Sequence, residues 1–158
     1  MFEQIYNFMA VSDTLFTGGM PTADQLDLAA QKGVQVVINL APHNTQDALP
    51  DEEEFVNLLG MQYIHIPVNW NSPSRDDLDK FMDALDSCRE TKVLVHCEAN
   101  FRASAFVAMY RILRQGWKTE AAMGVMHKIW NEDAYPAWNM FIKDMLNRSR
   151  NNKTQLYL

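Results

Sequence analysis

The stretch V-H-C-E-A-N-F-R-A-S (residues 95–104) sets Cys97 and Arg102 close together, with four residues between them. A thiolate can attack phosphorus or carry sulfur. An arginine presents a planar, permanently charged fork that holds two oxygens of a phosphate at once. A lone buried cysteine is more often packing, so the surroundings decide between chemistry and structure. Cys97 ends the apolar run K-V-L-V-H-C (92–97), and R-A-S-A-F-V-A-M-Y-R-I-L-R-Q-G (102–116) has helical spacing closed by Gly116. The linker E-A-N-F therefore leads straight into a helix N-terminus. Backbone N–H groups and the positive end of the helix dipole make such a turn an anion site, and a thiol there ionises more readily than a free one. Glu98, Ala99, Asn100, Phe101, Arg102 and Ala103 form the expected phosphate-binding turn.

The elements that must position this turn alternate along the chain. In T-A-D-Q-L-D-L-A-A-Q-K-G (22–33), Thr22 and Gln25 carry a capping-box signal and Gly33 a helix stop. V-Q-V-V-I-N-L-A (34–41) is a nearly continuous β-branched run, as in a strand covered on both faces. D-E-E-E-F-V-N-L-L-G (51–60) puts acids at a helix start, where the dipole favours them, and M-Q-Y-I-H-I-P-V (61–68) reads as a strand. After the loop 69–75, residues 76–88 show helical apolar spacing at Leu78, Phe81, Met82 and Leu85. Two more helices are expected at about 119–131 and 136–148, and residues 8–21 add an edge strand or hairpin. Strands alternating with helices specify an α/β fold: three layers, with a mostly parallel central sheet of four to five strands flanked by helices. Cys97 then lies at the carboxyl end of a central strand, where ligands bind in open α/β sheets.

The 158 residues fit one domain spanning 1–158, large enough for a core without metal or disulfides. A net charge of -6 argues against nucleic acid or an anionic membrane surface as the main partner. No apolar run reaches the roughly 18 residues of a membrane span, and the start M-F-E-Q-I-Y-N-F-M lacks the basic region of a signal peptide. Cys88 and Cys97 flank a short strand at a separation of roughly 15 Å, beyond disulfide reach, so two free thiols suit a reducing cytoplasm. The basic cluster Arg148, Arg150 and Lys153 reads as a solvated C-terminal turn. The ten methionines read as packing. No His, Cys and carboxylate spacing resembles a metal site; His65 and His127 read as structural, and His43 as a candidate for the crevice.

H-C-E-A-N-F-R-A-S resembles the signature loop of the cysteine-based tyrosine and dual-specificity protein phosphatases. The resemblance covers nearly the whole chain. G-G-M-P-T-A-D-Q-L, V-V-I-N-L, and Y-I-H-I-P-V followed by a polar loop and D-D-L-D-K-F fall in the order of the small bacterial dual-specificity-like phosphatases. It implies a protein tyrosine phosphatase-like fold, and a substrate that is a phosphorylated protein or small phosphate monoester. It makes Cys97 the nucleophile forming a cysteinyl-phosphate and Arg102 the phosphate and transition-state ligand. It makes His96 the orienter of the loop and Ser104 the donor to the departing thiolate. It implies no metal or other cofactor.

Two departures stand beside it. Cys97 and Arg102 are one residue closer than in the family pattern, although Cys97 to Ser104 keeps the usual separation and Asn100 stands where glycine is usual. Either the loop is one residue shorter, or it has normal length with Ala103 in the arginine's place; helix neighbours point about 100° apart, so the side chains differ greatly in reach. The tighter spacing is also similar to that of rhodanese-type sulfurtransferases, whose loop holds a persulfide. The second departure is that Asn69 occupies the place of the family's general-acid Asp. Asp76, Asp77 and Asp133 are the substitutes to consider, although each also suits a helix start or turn, and Trp70 is a candidate substrate wall. Glu98 disfavours heavily phosphorylated substrates by its charge. The alternatives to a phosphatase are therefore a sulfurtransferase with a Cys97 persulfide and a catalytically weak phosphate-binding pseudophosphatase.

Overall fold

The computed structural model describes residues 1–45 and 47–156, with side chains described through Arg148. In chain order the elements are β1 (Met9–Ala10), β2 (Leu15–Gly18), α1 (Ala23–Gln31), β3 (Val34–Asn39), α2 (Glu52–Leu58), β4 (Gln62–His65), α3 (Arg75–Asp86), β5 (Lys92–His96), α4 (Phe101–Gln115), α5 (Thr119–Met126) and α6 (Pro136–Leu156), with short 3-10 turns at Phe2–Gln4 and Glu132–Ala134. The sheet order is β1-β2-β5-β3-β4; β1 runs antiparallel to β2, and every other pairing is parallel. This is the expected α/β architecture with five strands, the first being the anticipated edge piece.

Helices cover both faces. Val36, Ile38, Val93 and Val95 pack beneath α3, α4, α5 and α6, while Val34, Val37 and Leu94 pack against α1, α2 and the N-terminal turn. Side chains alternate along a strand, and this alternation sets the site. Leu94 and His96 share the α1/α2 face of β5; Val95 and the residue after the strand, Cys97, share the α4 face.

Local signals account for most boundaries. The Thr22 hydroxyl accepts from the Gln25 amide at 3.1 Å while Gln25 reaches back to the Thr22 amide at 2.9 Å, closing the capping box. Ser74 caps α3 through the Asp77 amide, and Gly116 ends α4 with φ 73°. Three expectations are corrected. The helix expected over 119–131 stops at Met126, because Trp130 turns inward to stack on Phe101 at 4.9 Å. His127, expected to pack, is instead exposed at that helix end and pairs with Glu132 at 2.7 Å. The final helix continues past 148, so the basic tail lies on a helix rather than a turn; Arg148 reaches Asp144, and the side chains of Arg150 and Lys153 lie outside the described residues. Among the described residues no helix is long and apolar enough to cross a membrane.

Candidate active site

The turn after β5 is fastened from three sides. The close approach at Gly19 requires glycine, since a Cβ there would lie 2.8 Å from the Glu98 carbonyl oxygen. That contact lets the Met20 amide donate to the Glu98 carbonyl at 3.1 Å. Asn100 adopts the left-handed conformation (φ 70°) that its place in the sequence requires. Its amide nitrogen donates to the Asn7 carbonyl at 2.7 Å and to the Thr17 hydroxyl at 3.0 Å, and Asn7 returns a bond to the Ala99 carbonyl. Among the described residues, the amides of Glu98, Ala99, Phe101, Arg102 and Ala103 donate to no backbone carbonyl; the opening bond of α4 runs from the Ser104 amide to Asn100. These free amides sit at the positive end of a 15-residue helix, an arrangement suited to holding an anion.

Cys97 is 1% exposed and Arg102 6% exposed. Both line one cavity of about 700 Å³, together with Pro42, Asn69, Trp70, Glu98 and Tyr135 among others. Arg102 donates to the Val68 carbonyl at 3.0 Å and lies 3.7 Å from the Glu98 carboxylate and 6.0 Å from the Trp70 ring centroid. Ala103 is fully buried in the core. The loop is therefore the shorter of the two alternatives: Arg102, not Ala103, faces the cavity.

His96 turns to the opposite face of the sheet. Its Nε2 donates to Glu52 Oε2 at 2.6 Å, and its Nδ1 lies 3.3 Å from the Cys97 carbonyl oxygen. Glu52, in the first turn of α2, is 4% exposed and extends the chain of contacts through Asn39 to Tyr63 and His43. Sequence reasoning gave the 51–54 acids only a helix-dipole role; no local signal distinguishes Glu52 from Glu53 or Glu54.

Several expected site residues fall elsewhere. The contact expected of Ser104 is not made. Its hydroxyl donates to the Phe101 carbonyl at 3.2 Å and accepts from the Trp130 indole at 3.0 Å, and it does not line the cavity. Shortening the turn by one residue rotates Ser104 away by about one helical step. Replacing Ser104 with Ala is expected to cost roughly 1–3 kcal/mol of stability by orphaning the Trp130 N–H, with kcat on an aryl phosphate changed only a few-fold. A fall in kcat of about 100-fold at unchanged stability would restore the catalytic role. Asp76 and Asp133 are exposed and line no part of the cavity, so the structure does not bring either candidate acid to the site. Asn69 lines the cavity, with its side-chain oxygen accepting from the Asn71 amide at 2.9 Å. Trp70 is both wall and anchor: it stacks on Trp138 at 5.2 Å and meets Tyr135 edge-on, and its carbonyl accepts from the Trp138 indole.

His43 stacks on His65 at 3.9 Å and does not line the cavity. Burial pushes the His65 imidazole below its usual value of 6.5 and the charge of His43 pushes the same way, against the Ala41 carbonyl that accepts from it. The unfolded chain therefore binds this proton more readily than the folded one. Stability from this group is full above pH 6.5 and falls as acid protonates the unfolded state. Urea midpoints at about pH 7.5 and 5.5 should differ less in His65→Gln than in the parent.

Comparison with known proteins follows the same lines. A candidate phosphatase (DUF442) of Shewanella putrefaciens CN-32 is 37% identical, with 94% of this chain and 96% of that chain covered and a TM-score of 0.83. The dual specificity protein phosphatase TpbA of Pseudomonas aeruginosa UCBPP-PA14 is 26% identical over 124 residues, 77% of this chain and 54% of that protein. The chain thus spans about half the length of the curated relatives it matches. A crystal structure of Pseudomonas aeruginosa TpbA carrying a Cys-to-Ser change, in complex with pTyr, shares the fold at 22% identity, with 92% and 91% coverage and a TM-score of 0.69. Residues 6–144 match the family described as DSP-PTPase phosphatase fused to NAD+ kinase, and the chain belongs to that family.

Proposed function

We propose that this chain hydrolyses phosphate monoesters, aryl phosphates in particular, through a cysteinyl-phosphate on Cys97. The observation that carries the reading is the convergence of Cys97, Glu98, Ala99, Phe101 and Arg102 on one cavity, with the amides of Glu98, Ala99, Phe101 and Arg102 donating to no backbone carbonyl. Cys97 Sγ attacks phosphorus from the cavity floor. The amides and Arg102 take the phosphoryl oxygens, whose charge spreads in the transition state. His96, braced by Glu52, lies against the Cys97 backbone and points away from the cavity. Trp70, Phe101 and Tyr135 line the cavity and suit the flat ring of a phosphotyrosine side chain, the group bound in the TpbA complex. The two free thiols, Cys88 and Cys97, fit a reducing cytoplasm.

The family match favours phosphate transfer over a persulfide. The test is turnover of phosphotyrosine and phosphoserine peptides from about pH 5 to 8, alongside thiosulfate–cyanide exchange. Phosphate release with preference for phosphotyrosine supports the reading. Thiocyanate production without phosphate release replaces it with sulfur transfer, and binding without turnover replaces it with a phosphate-binding module.

A further inference from the structure

With Asn69 in the place of the family's acid, and Asp76 and Asp133 outside the cavity, the leaving oxygen still needs a proton. We propose that Glu98 supplies it, which rests on the phosphatase reading above. Glu98 is the one carboxylate among the described residues that line the cavity. Tyr135 also lines it, but a phenol is a far weaker acid than a carboxyl group. Glu98 follows Cys97 directly, so their Cα atoms are about 3.8 Å apart. Its side chain is 44% exposed while Cys97 is 1% exposed, which sets the carboxyl toward the mouth and the sulfur at the floor. In an in-line displacement the leaving oxygen departs opposite the attacking sulfur, toward that mouth.

Glu98 also lies 3.7 Å from Arg102, which sets its carboxyl beside the guanidinium that takes the phosphoryl oxygens. In the first step the Cys97 thiolate forms the S–P bond. The P–O ester bond breaks with its electron pair on oxygen, and that oxygen takes the proton from Glu98. In the second step water attacks phosphorus and gives its proton to the Glu98 carboxylate. The S–P bond then breaks with its electrons on sulfur, releasing phosphate and restoring both groups.

The rival role is that Glu98 only steadies Arg102, and the leaving-group dependence of Glu98→Gln separates the two. Protonation matters little for a nitrophenolate and greatly for a phenolate or alkoxide. Glu98→Gln should lose roughly 10²–10⁴-fold more on phenyl phosphate than on 4-nitrophenyl phosphate. The fall in the parent's kcat at alkaline pH should vanish, and Glu98→Asp should recover part of the loss. An equal loss across the series, or none on phenyl phosphate, overturns the assignment. A parent protein that turns over none of these esters overturns the phosphatase reading itself, and this role with it. Glu98 is a partly exposed turn residue, so circular dichroism and a melting curve suffice to verify the folding of the variants.

Discussion

Cys97→Ser is expected to abolish turnover of 4-nitrophenyl phosphate, and Arg102→Ala to lower kcat/KM by roughly 10³–10⁵-fold. The two losses have different origins. A serine hydroxyl in the same place lacks the thiolate's nucleophilicity, so no covalent intermediate forms, yet the amide cradle is untouched and phosphate analogues still bind. Arg102→Ala keeps the nucleophile and removes the fork that meets charge developing on the phosphoryl oxygens. Arg102→Lys should rescue little, because a point charge cannot hold two oxygens in one plane. Stopped assays with both variants, paired with vanadate binding, check this directly. Residual turnover by Cys97→Ser near the parent's rate would remove Cys97 as the nucleophile. An Arg102→Ala loss of less than about 10-fold would mean that the amides alone carry the phosphate.

Glu52→Ala carries the largest stability effect expected outside the apolar core, a loss of roughly 3–5 kcal/mol. Glu52 is nearly buried and accepts from His96, with Asn39 beside its other oxygen. Deleting the carboxylate leaves a fully buried imidazole without its acceptor on the axis of the central strand. For a chain of this size the expected fall in melting temperature is roughly 2–4 °C for each kcal/mol. Glu52→Gln keeps an acceptor for His96 and should lose less. Turnover should fall as well, since the His96 ring lies against the Cys97 carbonyl, but measured at a temperature where both proteins are folded the fall should be smaller than that of Arg102→Ala. Melting within about 1 °C of the parent would mean that water takes the place of Glu52 at no cost.

How far the sequence alone reached follows from the distance along the chain over which each feature is set. The order of strands and helices was legible because alternation, capping boxes and terminal glycines act within a few residues. The turn after Cys97 was legible for the same reason: strand, Cys97, E-A-N-F and Arg102 are contiguous, and Asn100 announces its left-handed backbone locally. The phase of α4 was not. Whether Arg102 or Ala103 enters the cavity depends on where the helix begins, and fastening of the turn by Asn7, Thr17 and Gly19 decides that. The same phase turns Ser104 to Trp130, a residue 26 positions away.

The partner of His96 lies 44 positions off in the chain. Nothing in D-E-E-E marks Glu52 over its neighbours until α2 is laid across the sheet. Asp76 and Asp133 were reasonable acids by composition, and only packing leaves them outside and Glu98 inside. Residue types and local spacing fixed the α/β frame and singled out Cys97 and the turn that follows it. Tertiary structure decided which side chains point into the cavity, because a side chain's direction depends on helix phase and strand face, and both are set by contacts between segments far apart in the chain.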